Sequence, residues 1–94
     1  MIIDFKAAQF AKFDQLAQQI VQNPAAFCDF EQVSDVYKSD IWDKFPPGIE
    51  WFCSGLDDGA EHFDLVIQFY NRRLSITVSN RVTAFFKILD ESHH

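Results

Sequence analysis

The side chains best able to do chemistry are grouped in one short segment, residues 57–62, which reads Asp-Asp-Gly-Ala-Glu-His. Hard cations prefer oxygen ligands, and a loop can bring several carboxylates onto one ion. The segment lacks the spaced acids and the final glutamate that mark a Ca²⁺-binding loop. A single histidine, His62, is too few for a zinc or iron site. We therefore expect a solvated turn without a metal, with contact to a partner as the alternative.

His62 is also the one histidine inside the chain, because His93 and His94 stand at its end, either as native residues or as part of a tag. A Ser/His/Asp or Cys/His arrangement would have to use it. No nucleophile elbow or cysteine-protease signature surrounds the candidate nucleophiles Ser54, Ser75 and Cys53. With three glycines in total, neither a phosphate-binding loop nor a dinucleotide fingerprint can be written. We expect no enzymatic activity and no cofactor.

The two cysteines, Cys28 and Cys53, are compatible with either redox compartment. The first residues, Met-Ile-Ile-Asp, do not resemble a signal peptide, and no apolar run approaches the roughly 18–20 residues that span a bilayer. We therefore expect a cytoplasmic protein with two buried free thiols. A disulfide between them stays open as the alternative.

Negative charge is concentrated in the middle of the chain. Residues 29–64 contain ten acidic side chains and two lysines, a net charge of −8, whereas residues 65–94 carry +2. Nucleic acids and anionic membranes are bound by basic surfaces that neutralise phosphates. The pair Arg72-Arg73 is too small for such a surface, and we expect it in a solvated turn. Neither nucleic acid nor membrane is an expected direct partner.

The same acidic segment holds both tryptophans, Trp42 and Trp51, in a stretch where Pro46-Pro47 stiffens the backbone. Tryptophan and tyrosine dominate the energetics of many protein interfaces, and a fixed backbone loses less entropy on binding. We predict a partner-binding surface, with the filling of the core by both tryptophans as the alternative. Its predicted residues are Asp35, Tyr37, Asp40, Trp42, Asp43, Phe45, Glu50, Trp51, Asp57 and Asp58.

Two helices are predicted in the first half of the chain. Apolar residues recur at steps of three and four over residues 4–22, which indicates an amphipathic helix with Asp4 as its N-cap. Asn23-Pro24 starts a second helix, predicted over residues 24–38. A short turn carrying Ile41, Trp42 and Phe45 could follow before Pro46.

Strands are predicted in the second half, where the apolar period changes to two. Residues 49–56, 63–70 and 74–79 fit strands, with a hairpin turn at Asn71-Arg72. Residues 82–89 fit either a helix or a strand, and their β-branched and aromatic content favours a strand. The prediction is one α+β domain, residues 1–94, with two N-terminal helices packed on one face of a three- or four-stranded antiparallel sheet.

In size, acidity and lack of catalytic motifs, the chain resembles bacterial toxin-immunity proteins and phage-encoded inhibitors. The resemblance implies a small inhibitor that binds and blocks a larger basic protein, such as a nuclease toxin or a nucleic-acid-handling complex. Electrostatic steering would be followed by docking of aromatic side chains. An acidic chaperone or adaptor that binds another protein, as a homodimer in one version, is the alternative, and an enzyme is the third hypothesis. The sequence leaves the oligomeric state open.

Overall fold

A computed structural model describes residues 5–55, 62–79 and 81–89. The helical part comprises α1 (Phe5–Gln22), α2 (Pro24–Phe27), α3 (Val33–Lys38) and a 3₁₀ turn, η1 (Asp40–Asp43). The predicted first helix is confirmed over its described residues. The turn expected to carry Ile41 and Trp42 is present as η1.

The prediction of one continuous helix over residues 24–38 is wrong, because the chain leaves the helix after α2 and re-enters it at α3. The carboxylate of Asp35 accepts hydrogen bonds from the backbone N–H groups of Glu31 (2.9 Å) and Gln32 (3.1 Å). A continuous helix would direct those two groups to carbonyls one turn back. The local cap of α3 therefore replaces the helix, although the apolar spacing fits a helical period throughout.

Four strands follow, β1 (Glu50–Ser54), β2 (Phe63–Phe69), β3 (Arg72–Val78) and β4 (Thr83–Ile88). They form one antiparallel sheet in the order β1-β2-β3-β4, so each strand pairs with its neighbour in sequence. The α+β prediction is confirmed, and the ambiguous stretch 82–89 contains a strand. Strand β1 is shorter than the predicted 49–56, and residue 56 lies outside the described part of the chain.

Burial alternates along the central strands, as the period of two requires. The covered face of the sheet packs against α1, whose Phe13 is fully buried and lies 5.6 Å from Phe69, ring centre to ring centre, and 6.0 Å from Phe86. Phe45 lies 5.5 Å from the same ring. The core is thus one aromatic and aliphatic layer between α1 and the sheet.

The turn between β2 and β3 consists of Tyr70 and Asn71, one residue before the predicted position. Tyr70 has a φ of +55°, a left-handed conformation that side chains other than glycine seldom adopt. Its ring packs edge-on against Phe69 (4.8 Å) and Phe10 (5.5 Å), and Lys6 Nζ lies 4.2 Å from its centre. These contacts offset the strain that a glycine would have avoided.

The expectation of a solvated turn at Arg72-Arg73 is wrong, because both residues belong to β3 and point to opposite faces of the sheet. Arg72 Nε lies 3.3 Å from the Asp14 carboxylate, and its guanidinium lies over the Phe10 ring at 4.2 Å. This ion pair attaches α1 to the start of β3. Arg73 lies on the other face, where its Nη2 donates to Gln68 Oε1 (3.1 Å).

Candidate partner-binding surface

Three side chains that could bind a metal, Asp57, Asp58 and Glu61, lie outside the described residues, so the metal prediction for residues 57–62 stays a prediction. His62 is described and exposed. Elsewhere in the described ranges, no three His, Cys, Asp or Glu side chains are grouped closely enough to hold an ion.

Neither cysteine forms a disulfide, which leaves the disulfide alternative without support. Cys28 is fully buried, and this burial raises the pKa of its thiol to about 12. Desolvation also raises the pKa of Cys53, which is half-buried. Because a thiol must ionise to act as a nucleophile, both cysteines are protonated and poorly reactive at neutral pH.

All four predicted partner-binding aromatics form a continuous chain of ring contacts, which we call the aromatic ladder: Tyr37, Trp51, Trp42 and Phe45. Tyr37 meets Trp51 edge-on at 4.9 Å, and the two indoles stack at 4.6 Å with an interplanar angle of 14°. Trp42 then contacts Phe45 at 5.9 Å. The ladder therefore runs from the exposed side of α3, through η1 and β1, to the core.

The position of Trp42 is set by local hydrogen bonds. Its Nε1 donates to the carbonyl oxygen of Val36 at 2.8 Å, near the C-terminal end of α3. The hydroxyl of Ser39 accepts from the N–H of Ile41 at 3.2 Å and caps η1. Pro46 is buried directly after this turn. The indole is consequently held by its hydrogen bond to α3 and by its place in the capped turn η1.

Exposure decreases along the ladder. Tyr37 is 69% exposed, the two tryptophans are half-buried, and Phe45 is only 4% exposed. The tryptophans therefore fit both the predicted partner-binding role and the alternative of filling the core, since they pack against the core and retain some accessible surface. Phe45 offers almost no surface to a partner, and Tyr37 offers the most.

Exposed acidic side chains lie on η1, the turn that carries Trp42. Asp40 and Asp43 are exposed on η1, and Asp40 has only a long contact, 3.9 Å, with Lys44. Asp35 serves differently, because its carboxylate caps α3. We call Tyr37, Asp40, Trp42 and Asp43, together with Trp51, which contacts Tyr37 and Trp42, the α3–η1 surface.

A shallow depression of about 430 Å³ begins on the same helix. It is lined by Ala26, Phe27, Asp29, Phe30, Glu31, Asp35, Lys38 and Ser39. Asp29, Phe30 and Glu31 were not among the predicted partner-binding residues. Their alternation of acid and aromatic is visible in the sequence, but the break between α2 and α3, which leaves Asp29 and Glu31 exposed and Phe30 half-buried against the core, is not.

Glu50 does not join the α3–η1 surface. It lies on β1 beside Trp51, and neighbouring residues of a strand point to opposite faces. Trp51 faces the helices and the ladder, whereas Glu50 faces the uncovered side of the sheet. The described aromatic and acidic residues of the predicted set are thus divided between two faces of β1, whereas Asp57 and Asp58 lie outside the described residues and stay a prediction.

Within the described residues, no helix has the length and apolar character required to cross a membrane. Comparisons with protein families, with curated proteins and with solved structures find no match for this chain.

Proposed function

We propose that this protein is a non-catalytic inhibitor that binds a larger basic protein through the α3–η1 surface. The observation that supports this function best is the exposed ring of Tyr37, which contacts Trp51 edge-on, while Trp51 stacks on Trp42. Trp42 belongs to η1, the turn that also carries the exposed carboxylates of Asp40 and Asp43. An exposed aromatic ring together with exposed acids fits a basic protein surface in both shape and charge.

The ladder makes Tyr37 a rigid contact residue. A side chain that is already held in place loses little rotamer entropy when a partner covers it. The edge-on contact of Tyr37 with Trp51, at 4.9 Å, gives the ring such support. Tyrosine is also among the residue types that most often dominate binding energy at interfaces.

The charge of the surface would act before contact. Residues 29–55, all of which are described, contain six acidic side chains and two lysines, and none of these eight is buried. Exposed carboxylates raise the association rate with a basic partner and imitate the phosphates that a nucleic-acid-handling protein binds. A nuclease toxin or a nucleic-acid-handling complex is therefore the partner class that we propose.

The first experiment is affinity capture from the native host at low salt, followed by an activity assay of the captured protein. We expect a folded basic protein whose nucleic-acid-directed activity is lost at a 1:1 ratio with this chain. Capture of unfolded or extended polypeptides without loss of an activity would instead support the acidic chaperone or adaptor.

The electrostatic part is tested with charge-matched variants. Asp40→Asn with Asp43→Asn changes the net charge by the same amount as Gln18→Lys with Gln22→Lys on the exposed side of α1. We expect the first pair to slow association several-fold at low salt and the second pair to have a smaller effect. Equal effects would show that net charge, and not this surface, governs association.

The role of Tyr37 in docking is tested by comparing it with a second exposed tyrosine. Tyr37→Ala should raise the dissociation rate about 30-fold, which corresponds to a hot-spot cost of about 2 kcal/mol. Tyr70→Ala removes the same group from another exposed site and should leave dissociation unchanged. Unchanged dissociation of Tyr37→Ala would exclude the α3–η1 surface as the docking site.

A further inference from the structure

Among the described residues, no helix packs on the side of the sheet opposite α1, and we call this surface the open face. Twelve side chains point to it, because they alternate with the residues of the covered face. They are Glu50, Phe52 and Ser54 of β1, Asp64, Val66 and Gln68 of β2, Arg73, Ser75 and Thr77 of β3, and Thr83, Phe85 and Lys87 of β4.

The strand register arranges these side chains in three rows across the sheet. The middle row is Phe52, Val66, Ser75 and Phe85. Its two phenylalanines are 53% and 56% exposed, although each could have been polar without any loss to the core. A row in which three of four side chains are apolar, on a solvent-facing sheet, is typical of a surface that another molecule covers.

The two outer rows are polar and differ in charge. One row reads Glu50, Gln68, Arg73 and Lys87 from β1 to β4, so its acidic end and its basic end lie on opposite edges of the sheet. The other row contains one charge, Asp64, whose carboxylate accepts a hydrogen bond from the Thr77 hydroxyl at 2.8 Å. The open face thus carries two acids and two bases.

We propose that the open face binds a second copy of this chain, related by a two-fold axis that lies between the two sheets and runs parallel to the strands. This axis reverses the strand order, so β1 of one copy lies over β4 of the other. Glu50 then faces Lys87 of the second copy, and Phe52 faces its Phe85, each contact occurring twice. Packed sheets stand about 10 Å apart, a gap that these side chains can fill from both sides.

The arrangement of charges distinguishes this axis from the other face-to-face two-fold, which runs across the strands. That second axis places each strand over its own copy and exchanges the outer rows. Glu50 would then face Ser54, and Lys87 would face Thr83. Only the axis parallel to the strands pairs the acidic end of a row with the basic end of the same row.

The balanced charge of the open face also favours a second copy over the basic partner of the α3–η1 surface. A strongly basic protein would meet Arg73 and Lys87 as well as the two acids, whereas a second copy presents its own acids to these bases. The two surfaces lie on opposite faces of β1, so the dimer and the proposed partner complex are independent of each other.

The size of the face predicts a weak dimer. Four strands spaced by about 4.8 Å and five residues rising about 3.4 Å each cover about 19 Å by 17 Å. A standard stable interface buries about 800 Å² on each partner, which is more than this face offers. We therefore expect dissociation on dilution through the micromolar range.

The test is sedimentation velocity of the untagged full chain over a concentration series from 1 μM to 1 mM. Wild type should shift from monomer to dimer, and Phe52→Ser with Phe85→Ser should raise the dissociation constant at least about tenfold. Ile88→Ser, which removes an exposed apolar side chain from the other face of β4, should leave this dissociation constant unchanged. A monomer at every concentration, or an unaltered dimer in the double variant, would overturn the proposal.

The pairing is tested by reversing its charges. Glu50→Lys and Lys87→Glu should each weaken the dimer, and the two together should restore it, because they exchange the members of the pair. Failure of the double variant to regain wild-type association would rule out the axis parallel to the strands. Circular dichroism of each variant should match wild type, since both side chains are exposed.

Discussion

Phenylalanine occurs on both the covered and the open face of the sheet, but it has a different role on each. Phe69 and Phe86 point toward α1 and join the core, whereas Phe52 and Phe85 point away and remain more than half exposed. In β4, Phe85 and Phe86 are even neighbours in sequence. The alternation of side chains along each strand and the position of α1, and not residue type, decide which phenylalanine stabilises the fold and which is available for binding.

The largest expected difference lies between Phe13 and Phe85. Phe13→Ala removes a fully buried ring that contacts three others, and should lower the free energy of unfolding by about 3–5 kcal/mol. Phe85→Ala, measured at a concentration where the chain is monomeric, should change it by less than about 0.5 kcal/mol. Urea denaturation monitored by circular dichroism gives both values. Similar losses of unfolding free energy in the two variants would mean that Phe85 is buried in the monomer.

A smaller difference is expected within β1, between Trp51 and Phe52. Trp51→Ala removes both the indole stack with Trp42 and the support of Tyr37, and should cost about 2–3 kcal/mol of unfolding free energy. Phe52→Ala on the other face should cost less than about 0.5 kcal/mol. Tryptophan fluorescence during urea unfolding of Phe52→Ala, and circular dichroism for Trp51→Ala, measure these changes.

The buried thiol of Cys28 makes the covered side sensitive to alkali. Its pKa is raised to about 12 from an unfolded value of 9.0, so the protonated thiol stabilises the fold below pH 9. This stability is lost as the pH rises from 9 toward 12, because the unfolded chain releases the proton first. From pH 8 to pH 10, wild type should lose about 1 kcal/mol more unfolding free energy than Cys28→Ala. Parallel pH curves for the two proteins would contradict the burial of this thiol.

The smallest effect is expected for the polar contact on the open face. Thr77→Val removes the hydroxyl that donates to Asp64, a bond that solvent can replace on a face of this kind. We expect a loss of about 0.5 kcal/mol in unfolding free energy, partly offset by the higher strand propensity of valine. Ser75→Val, in the middle row, serves as the matched control without a hydrogen bond. A cost above about 2 kcal/mol would indicate that the contact is shielded from water.

The sheet could be predicted from the sequence because apolar and polar residues alternate along its strands. This alternation arises because only one face of the sheet is buried. The alternation of Phe63, Leu65, Ile67 and Phe69 shows both the strand and its covered face. The helical region was harder, because the apolar spacing from Ala26 to Tyr37 fits a helix that does not form. The competing cap by Asp35 depends on where the backbone N–H groups of two residues point, and spacing does not encode this.

The residue types of the candidate site could be predicted from the sequence, but the separation of its residues onto two surfaces could not. Trp42 and Trp51 lie within 14 residues of Tyr37 in the sequence. Their stacking, however, depends on β1 packing beside α3 and η1. Glu50 was grouped with them by proximity in the chain, and the alternation of β1 places it on the other face. The rows of the open face require the full strand register, which single-strand patterns cannot supply.

The nearest-neighbour order of the sheet has a consequence for how the chain folds. Every strand pairs with the one before it, and β2 and β3 are joined by Tyr70 and Asn71 alone. Closing a short loop costs little chain entropy, and proteins dominated by local contacts fold faster than those with distant pairings. We expect the β2–β3 hairpin to form first, β1 and β4 to add at its two edges, and α1 to dock last. In this order of events, the left-handed Tyr70 lies in the turn of the hairpin that we expect to form first.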